Sequence, residues 1–316
     1  MKRLVFLLSI FFSIGYASAQ LVPLNFGNFE TWTTRDVKES AVIGGATKSI
    51  YVLGPNEHIP TSKLAPYPYG KKTFWSSSNT YARVAGVVKS SCSVEPEFRD
   101  SANKCARLDT KVEKVKVLGL INVSVLVSGS LFTGETIEPI KSADDPYCNI
   151  SFGVPFNKKP KALVLDYKCK ISKNNYVMKI SGMSSKRIDG VQDRAEIIVY
   201  LQKRWEDAEG NIHAVRVGTM RTQLTEDVPD WKNAQRMEIH YGNITQTDYY
   251  KDYMQLGSRY RAKNSKGMVV PIQEEGWGSE HDTPTHVLVM VTAGNHGAFI
   301  GTVGNTLWVD NICFEY

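Results

Sequence analysis

The chain closes on GAFIGTVGNTLWVDNICFEY, Gly297 to Tyr316. Three glycines punctuate the first eight residues of this stretch, and then an apolar run carries one carboxylate, Asp310, almost to the terminus. A strand of that composition is built for a core. An unpaired strand edge invites association, so its neighbours must come from elsewhere in the chain, and the acid within it needs its own account.

Working back from that strand, the dominant hydrophobic period is two. In KALVLDYKCKIS, Leu163, Leu165, Tyr167, Cys169 and Ile171 point one way and Asp166, Lys168 and Lys170 the other, which predicts a half-buried strand. RAEIIVYLQKRW behaves alike, with Ile197, Val199 and Leu201 on one face and Glu196, Ile198 and Tyr200 opposite. The turn residues Glu206 to Asn211 and the following IHAVRVGTM make this a predicted hairpin. KVEKVKVLGLINVSVLVSG, RMEIHYGNI and HVLVMVTAG add further strands. The one weak helical pattern is TDYYKDYMQLGSRY. The fold expected is all-β, a jelly-roll-like antiparallel β-sandwich with long loops. The longest loops are read at SSCSVEPEFRDSANKC and ADDPYCNISFGVPFNKKP. No linker or internal repeat divides the strands. One domain over residues 20–316 is expected, a small separate N-terminal lobe being the alternative.

Residues 1–19 read differently. Lys2 and Arg3, the run LVFLLSIFFSI and the small residues Ala17 and Ala19 make a secretory signal peptide, cut after Ala19. The run is too short to cross ~30 Å of hydrocarbon, and no later stretch reads as a transmembrane segment. Export to the periplasm, the cell surface or the medium is therefore expected. No cysteine follows the cut to carry a lipid anchor. The formal net charge of +6 includes Lys2 and Arg3, and the remaining excess is too small for a nucleic-acid footprint. Five cysteines leave at least one thiol unpaired or intermolecular. Cys92 and Cys105 are the leading disulfide pair, Cys169 and Cys313 read as buried thiols, and Cys148 lies in a loop. No Cys/His spacing suggests zinc.

Six blocks, taken in order, resemble one family. They are NFETWT, FWSSSNTYARVAG (Phe74 to Gly86), CARLDTK (Cys105 to Lys111), SGSLFTGE (Ser128 to Glu135), FGVPFNKKPKALVLDYK (Phe152 to Lys168) and the closing stretch. The sequence is similar to the putative carbohydrate metabolism domain (PCMD) family of exported Bacteroidetes proteins, which in turn resembles carbohydrate-binding jelly rolls. The resemblance implies a jelly-roll sandwich, a role around glycans, and pairing of the opening stretch Leu24 to Thr34 with the closing strand in one sheet. In such jelly rolls, acids of the two terminal strands often hold a structural calcium; the matching positions are Glu30 and Asp310. Carboxylate and carbonyl oxygens suit that ion, and a capping or salt-bridged Asp310 is the alternative.

A glycan-binding face needs exposed rings against sugar C–H faces. Trp277, in the glycine-flanked EEGWGSEHD, is the first candidate, with Trp205, Trp231 and Tyr250 beside charged or polar neighbours; rings covering sheet rims are the plainer reading. Trp32 and Trp308 lie on terminal strands and read as packing. A glycoside hydrolase would instead need two carboxylates about 5–5.5 Å or 6.5–9.5 Å apart; Glu196, Glu238 and Asp166 are the candidates. Nucleophile elbows, phosphate loops and dinucleotide fingerprints are absent from the sequence. Three functions stay open: carbohydrate binding first, glycoside hydrolysis second, and a protein-binding adhesion or structural role third.

Overall fold

The computed structural model describes residues 20–84, 86–117, 121–141 and 145–316; the signal-peptide reading of Met1 to Ala19 lies outside them. Leu21–Pro23 (β1) opens the described chain. Trp32–Lys38 (β2), Thr47–Leu53 (β3) and Glu57–Ile59 (β4) make a three-stranded sheet in the order β3-β2-β4. Trp75–Ser77 (β5) precedes a hairpin of Thr80–Val84 (β6) and Val87–Ser91 (β7). Val94–Phe98 (β8), Lys104–Val117 (β9), Ile121–Ser128 (β10) and Ser130–Thr136 (β11) follow. A 3-10 turn at Pro146–Asn149 then leads into Ile150–Phe152 (β12) and Val154–Pro155 (β13). Next come Ala162–Lys170 (β14), Tyr176–Gly182 (β15) and Ser184–Asp189 (β16), then the long strands Ala195–Glu206 (β17), Ile212–Leu224 (β18) and Val228–Glu238 (β19). His240–Tyr241 (β20), Arg261–Lys263 (β21), Val269–Trp277 (β22), His286–Thr292 (β23), Ile300–Gly301 (β24) and Thr306–Glu315 (β25) complete the chain.

Two ten-stranded sheets carry most of these strands. The first runs β16-β15-β10-β9-β25-β14-β19 and the second β12-β11-β23-β17-β18-β22-β21, with short strands added at their flanks. The all-β sandwich expected from the two-residue period is therefore present. Its core lies between the sheets, joining Leu163, Leu165, Val309 and Ile312 of the first to Ile197, Val199, Leu201 and Val289 of the second. Pairing is antiparallel apart from β18–β22 and β2–β4, which are parallel. Among the described residues no helix is long and apolar enough to cross a membrane.

The closing strand is not at an edge. β14 runs along one side of β25 from Ala162↔Glu315 to Lys170↔Thr306. The other side is shared by β9, which pairs with its first half, and β1, which pairs Leu21↔Glu315 through Pro23↔Cys313. The termini do meet in one sheet, through Leu21–Pro23, and the Leu24 N–H and Gly27 carbonyl continue the contact by bonds to Ile312 at 3.0 and 2.8 Å. The stretch beyond it turns away, with Phe26 and Phe29 at positive φ, and buries Phe29 and Trp32 in the main core before entering the small N-terminal sheet.

Asp310 now has its reason. It stands directly opposite Asp166 at a register shift between β14 and β25, where Asn311 takes a left-handed conformation. Two facing carboxylates repel, and the Arg99 guanidinium lies between them, donating to Asp166 Oδ2 at 2.6 Å and to Asp310 Oδ2 at 2.9 Å. Asn311 Nδ2 and the Ala234 N–H also donate to Asp166, at 3.0 and 2.6 Å. Burial opposes the charge on Asp166, yet these donors hold its pKa below the ordinary value. At the fully buried Asp310 burial wins and the pKa is raised, despite bonds from Arg99, Asn103 and the Asn311 N–H.

Three local expectations change. The supposed loop around Cys92 and Cys105 is a β8–β9 hairpin in which Cys105 faces Glu97. Cys92 lies five residues before that partner, roughly 17 Å along the strand, and both thiols are free, as are the other three. The Cys92–Cys105 disulfide is thus excluded in this arrangement. The helical pattern at TDYYKDYMQLGSRY yields only a 3-10 turn at Asp252–Met254. The stretch ADDPYCNISFGVPFNKKP contributes β12 and β13 as well as loop. Alkylation of the denatured, unreduced protein should modify all five cysteines in the mass spectrum; fewer would reveal a disulfide.

Candidate functional site

Strand alternation places two different surfaces on β17. Ile197, Val199 and Leu201 enter the main core, while Ile198 and Tyr200 join a second apolar cluster with Phe132, Phe152, Tyr260 and Met290 on the outer face of the second sheet. Along that outer face, cross-strand pairing sets Glu196 beside Gln223, Ile198 beside Arg221, Tyr200 beside Thr219 and Gln202 beside Arg216. β22 adds Glu274 beside Ala214 and Trp277 beside Arg216.

The charges on this face are paired side by side. Arg221 donates to Glu196 through Nε at 3.0 Å and through Nη2 to both oxygens at 2.7 and 2.9 Å, and Gln223 Nε2 adds a fourth bond at 2.7 Å. Glu274 receives Arg216 Nε at 2.8 Å, Arg216 Nη2, and Gln202 Nε2 at 2.7 Å. The spare N–H groups of the same arginines reach upward. Arg216 donates to the carbonyls of Met254 and Gln255 at 2.5 and 3.3 Å, and Arg221 to that of Tyr253. Guanidiniums of the sheet therefore claim the carbonyls of residues 253–255, which a helix would need for itself. This is the physical reason the helical pattern fails there.

Of the four candidate rings, two come together. Trp277 closes β22, half-buried and in a strand rather than in the polar loop expected, with Tyr250 edge-on at 6.4 Å and the Arg216 guanidinium 5.3 Å from its ring. Trp205 is 44% exposed but lies on the opposite face of the same sheet, stacked on His213 at 5.5 Å. Trp231 belongs to the first sheet, in β19. There it covers Arg99 at 4.1 Å and shares Lys168 with Trp308, which packs from β25. It is a lid on the Asp166–Arg99–Asp310 cluster, so its surroundings are structural.

The three candidate acids do not converge. Glu196 is 1% exposed and fully engaged by Arg221 and Gln223 on the second sheet. Asp166 and Glu238 lie on neighbouring strands of the first sheet, but Glu238 faces Ala162, about 13 Å along β14 from Asp166 at the usual rise. That exceeds the separation either hydrolytic geometry uses. Glu238 is exposed and sits 3.6 Å from Arg236.

The calcium positions can be weighed by their donors. Both oxygens of Asp310 already accept hydrogen bonds and one faces a guanidinium, while Glu30 Oε1 accepts the Lys104 N–H at 3.1 Å. Among the described residues no group of three or more metal-ligating side chains gathers. A cation is already in place as Arg99, and this donor set does not fit a calcium ion.

Beside the arginine network lies a groove of about 450 Å³. Its floor is the second apolar cluster with Glu196, its wall the β9–β10 hairpin, its roof the β6–β7 hairpin, and its end the turn carrying His296 and Phe299. Sequence reading missed the residues that organise this face: Arg216, Arg221, Glu274 and Arg259. The available signal was a charged side chain inside an otherwise apolar alternation, as in VRVGTMRTQL, since such a group is buried only when paired.

A β-sandwich with an aromatic and charged outer face on one sheet, opening into a groove, is the class that fold and site define. The chain belongs to the family described as putative carbohydrate metabolism domain (PCMD), whose model matches residues 57–314. Among solved structures it is similar to the crystal structure of a putative glycoside hydrolase from Bacteroides thetaiotaomicron, at 18% identity, covering 86% of this chain and 76% of that one with a TM-score of 0.45. No curated protein matches the chain.

Two outcomes follow from the electrostatics. Glu196→Ala strands the Arg221 guanidinium and should cost about 3–5 kcal/mol by urea denaturation, with Glu196→Gln costing less. His286 faces Gln202 across β23–β17; burial first, then the Arg204 charge, depress its pKa to about 4. A histidine held neutral contributes stability that is complete above its ordinary value near 6.5 and is lost as pH falls towards 4. Urea midpoints should therefore drop between pH 7 and pH 4.5, and the drop should shrink in His286→Gln.

Proposed function

We propose that the protein is an exported carbohydrate-binding protein taking part in glycan recognition or utilisation. The observation that carries this reading is the Trp277–Tyr250 pair beside Arg216 on the outer face of the second sheet. Neither ring belongs to an apolar core cluster, and both remain partly open to solvent. A part-exposed indole offers an apolar plate to sugar C–H groups, and the buried Arg216–Glu274 pair beside it holds that plate in place. Membership of a family described by carbohydrate metabolism supports the same ligand class. Binding is favoured over hydrolysis because the three candidate acids are distributed over two sheets, each with its own cation: Arg221 for Glu196, Arg99 for Asp166 and Arg236 for Glu238.

The test is a glycan array with residues 20–316, combined with assay of the supernatants for reducing ends. Saturable binding without sugar release is expected, with Trp277→Ala weakening it about tenfold or more, the range of a lost aromatic contact. Release of reducing ends that disappears in Glu196→Gln would replace this reading with a hydrolase. Silence in both channels would move a protein-binding adhesion role to the front.

A further inference from the structure

The groove next to the arginine network differs in chemistry from the Trp277 rim. Its wall is the outward row of the β9–β10 hairpin, where Val115 faces Val123 across the ladder and Val125 and Val127 continue the row. A groove of about 450 Å³ falls within the range of small-molecule sites. These four valines, opposite Phe132, Phe152 and Met290, make an apolar stretch along the groove, with Glu113 beside Val125 and the serine and threonine hydroxyls at its margins. It suits an apolar body.

The floor adds charge. Arg259, exposed at the groove, donates to the carbonyl oxygens of His296 at 2.6 Å and Asn295 at 3.4 Å and lies 3.5 Å from Tyr147 Oη. Among the described residues, these neutral atoms are its hydrogen-bond partners, and no carboxylate pairs with it. Arg194, close by on β17's leading edge, likewise donates to a neutral atom, Gln223 Oε1, at 2.7 Å. The nearby acids are committed: Glu196 to Arg221, Glu113 to Lys89 and Lys111, and Asp193 to the N–H groups of Arg194, Asn295 and Thr302. Tyr260 lines the same floor, nine-tenths buried, with a hydroxyl that has no hydrogen-bond partner among the described residues. The local balance is a surplus of positive charge and an unused donor at one end of an apolar trough.

We propose that this groove binds a small amphipathic carboxylate, its apolar body along the valine wall and its anionic head on Arg259, with the Tyr260 hydroxyl as a second donor. Burial of the apolar body drives binding, and the charge-assisted bond selects the head. The site is independent of the glycan reading, since neither Trp277 nor Tyr250 lines it.

Dodecanoate, below its micelle concentration, is the probe, measured by calorimetry and by displacement of anilinonaphthalene sulfonate from residues 20–316. Saturable one-to-one binding is expected, at least tenfold tighter than dodecanol or dodecylamine. Arg259→Gln should weaken dodecanoate about tenfold to a hundredfold, the range of a charge-assisted hydrogen bond, while leaving dodecanol unchanged. Val125→Trp, checked for native circular dichroism, should block both, and Trp277→Ala should leave dodecanoate binding intact while lowering glycan binding. No saturable binding, equal affinity for dodecanoate and dodecanol, or insensitivity to both Arg259→Gln and Val125→Trp would overturn the proposal without touching the glycan reading. Loss of dodecanoate binding in Trp277→Ala would overturn the separation of the two sites.

Discussion

The placement of β25 between β9 and β14 is the constraint on which the first sheet depends. Without it, the β16-β15-β10-β9 half and the β14-β19 half share no strand pairing. The Arg99–Asp310 bond joins residues 211 apart in the sequence, so this half of the sandwich closes only when the last residues arrive. Closing so long a loop costs entropy before any contact rewards it. The reward is then large: Leu307, Val309, Ile312 and Phe314 all enter the main core together. The facing acids fit the same scheme. Asp166 and Asp310 would repel across the ladder, and only the correct register brings both onto one guanidinium.

Buried arginines recur as fasteners elsewhere. Arg35 and Glu138, both without solvent exposure, meet at 2.7 Å and tie the small N-terminal sheet to the chain beyond β11. Arg216 and Arg221 hold the segment 253–255 down onto the second sheet through its carbonyls. Such pairs contribute little over a well-packed apolar substitute, yet breaking one leaves an uncompensated charge. Their effect is to specify one arrangement of loop on sheet. That arrangement positions Tyr250 against Trp277 and leaves Arg259 beside the groove.

This pattern also explains how the outer face differs from the inner one. The inner faces of the two sheets carry the main apolar core, which could be recognised from alternation alone. On the outer face of β17 and β18, apolar and charged residues alternate along the same row, Ile198 beside Arg221 and Tyr200 beside Thr219. A row of that kind reads in sequence as a solvated surface. It is in fact covered by residues 249–260, and the coverage converts surface arginines into internal ones.

The sequence by itself determined what local chemistry controls. The two-residue alternation of Leu163 to Ile171 and of Ile197 to Leu201, and the turn at Glu206 to Asn211, were enough for strands, a hairpin and an all-β sandwich. The six ordered blocks, from NFETWT to the closing stretch, were enough for the family. The terminal pairing was anticipated over Leu24 to Thr34; it starts earlier, at Leu21–Pro23, and ends at Gly27, because the positive φ of Phe26 and Phe29 turns the chain away. Only the tertiary structure decided the partners. Trp231 looked free beside its charged neighbours and became a lid on Arg99; Cys92 and Cys105 looked close and are held apart by a hairpin; Glu196, Glu238 and Asp166 looked alike and went to three different cations. Side-chain direction follows from the period of a strand, whereas the identity of the neighbour follows from sheet order and register. Contacts across a hundred or more residues set both, and no local pattern encodes them.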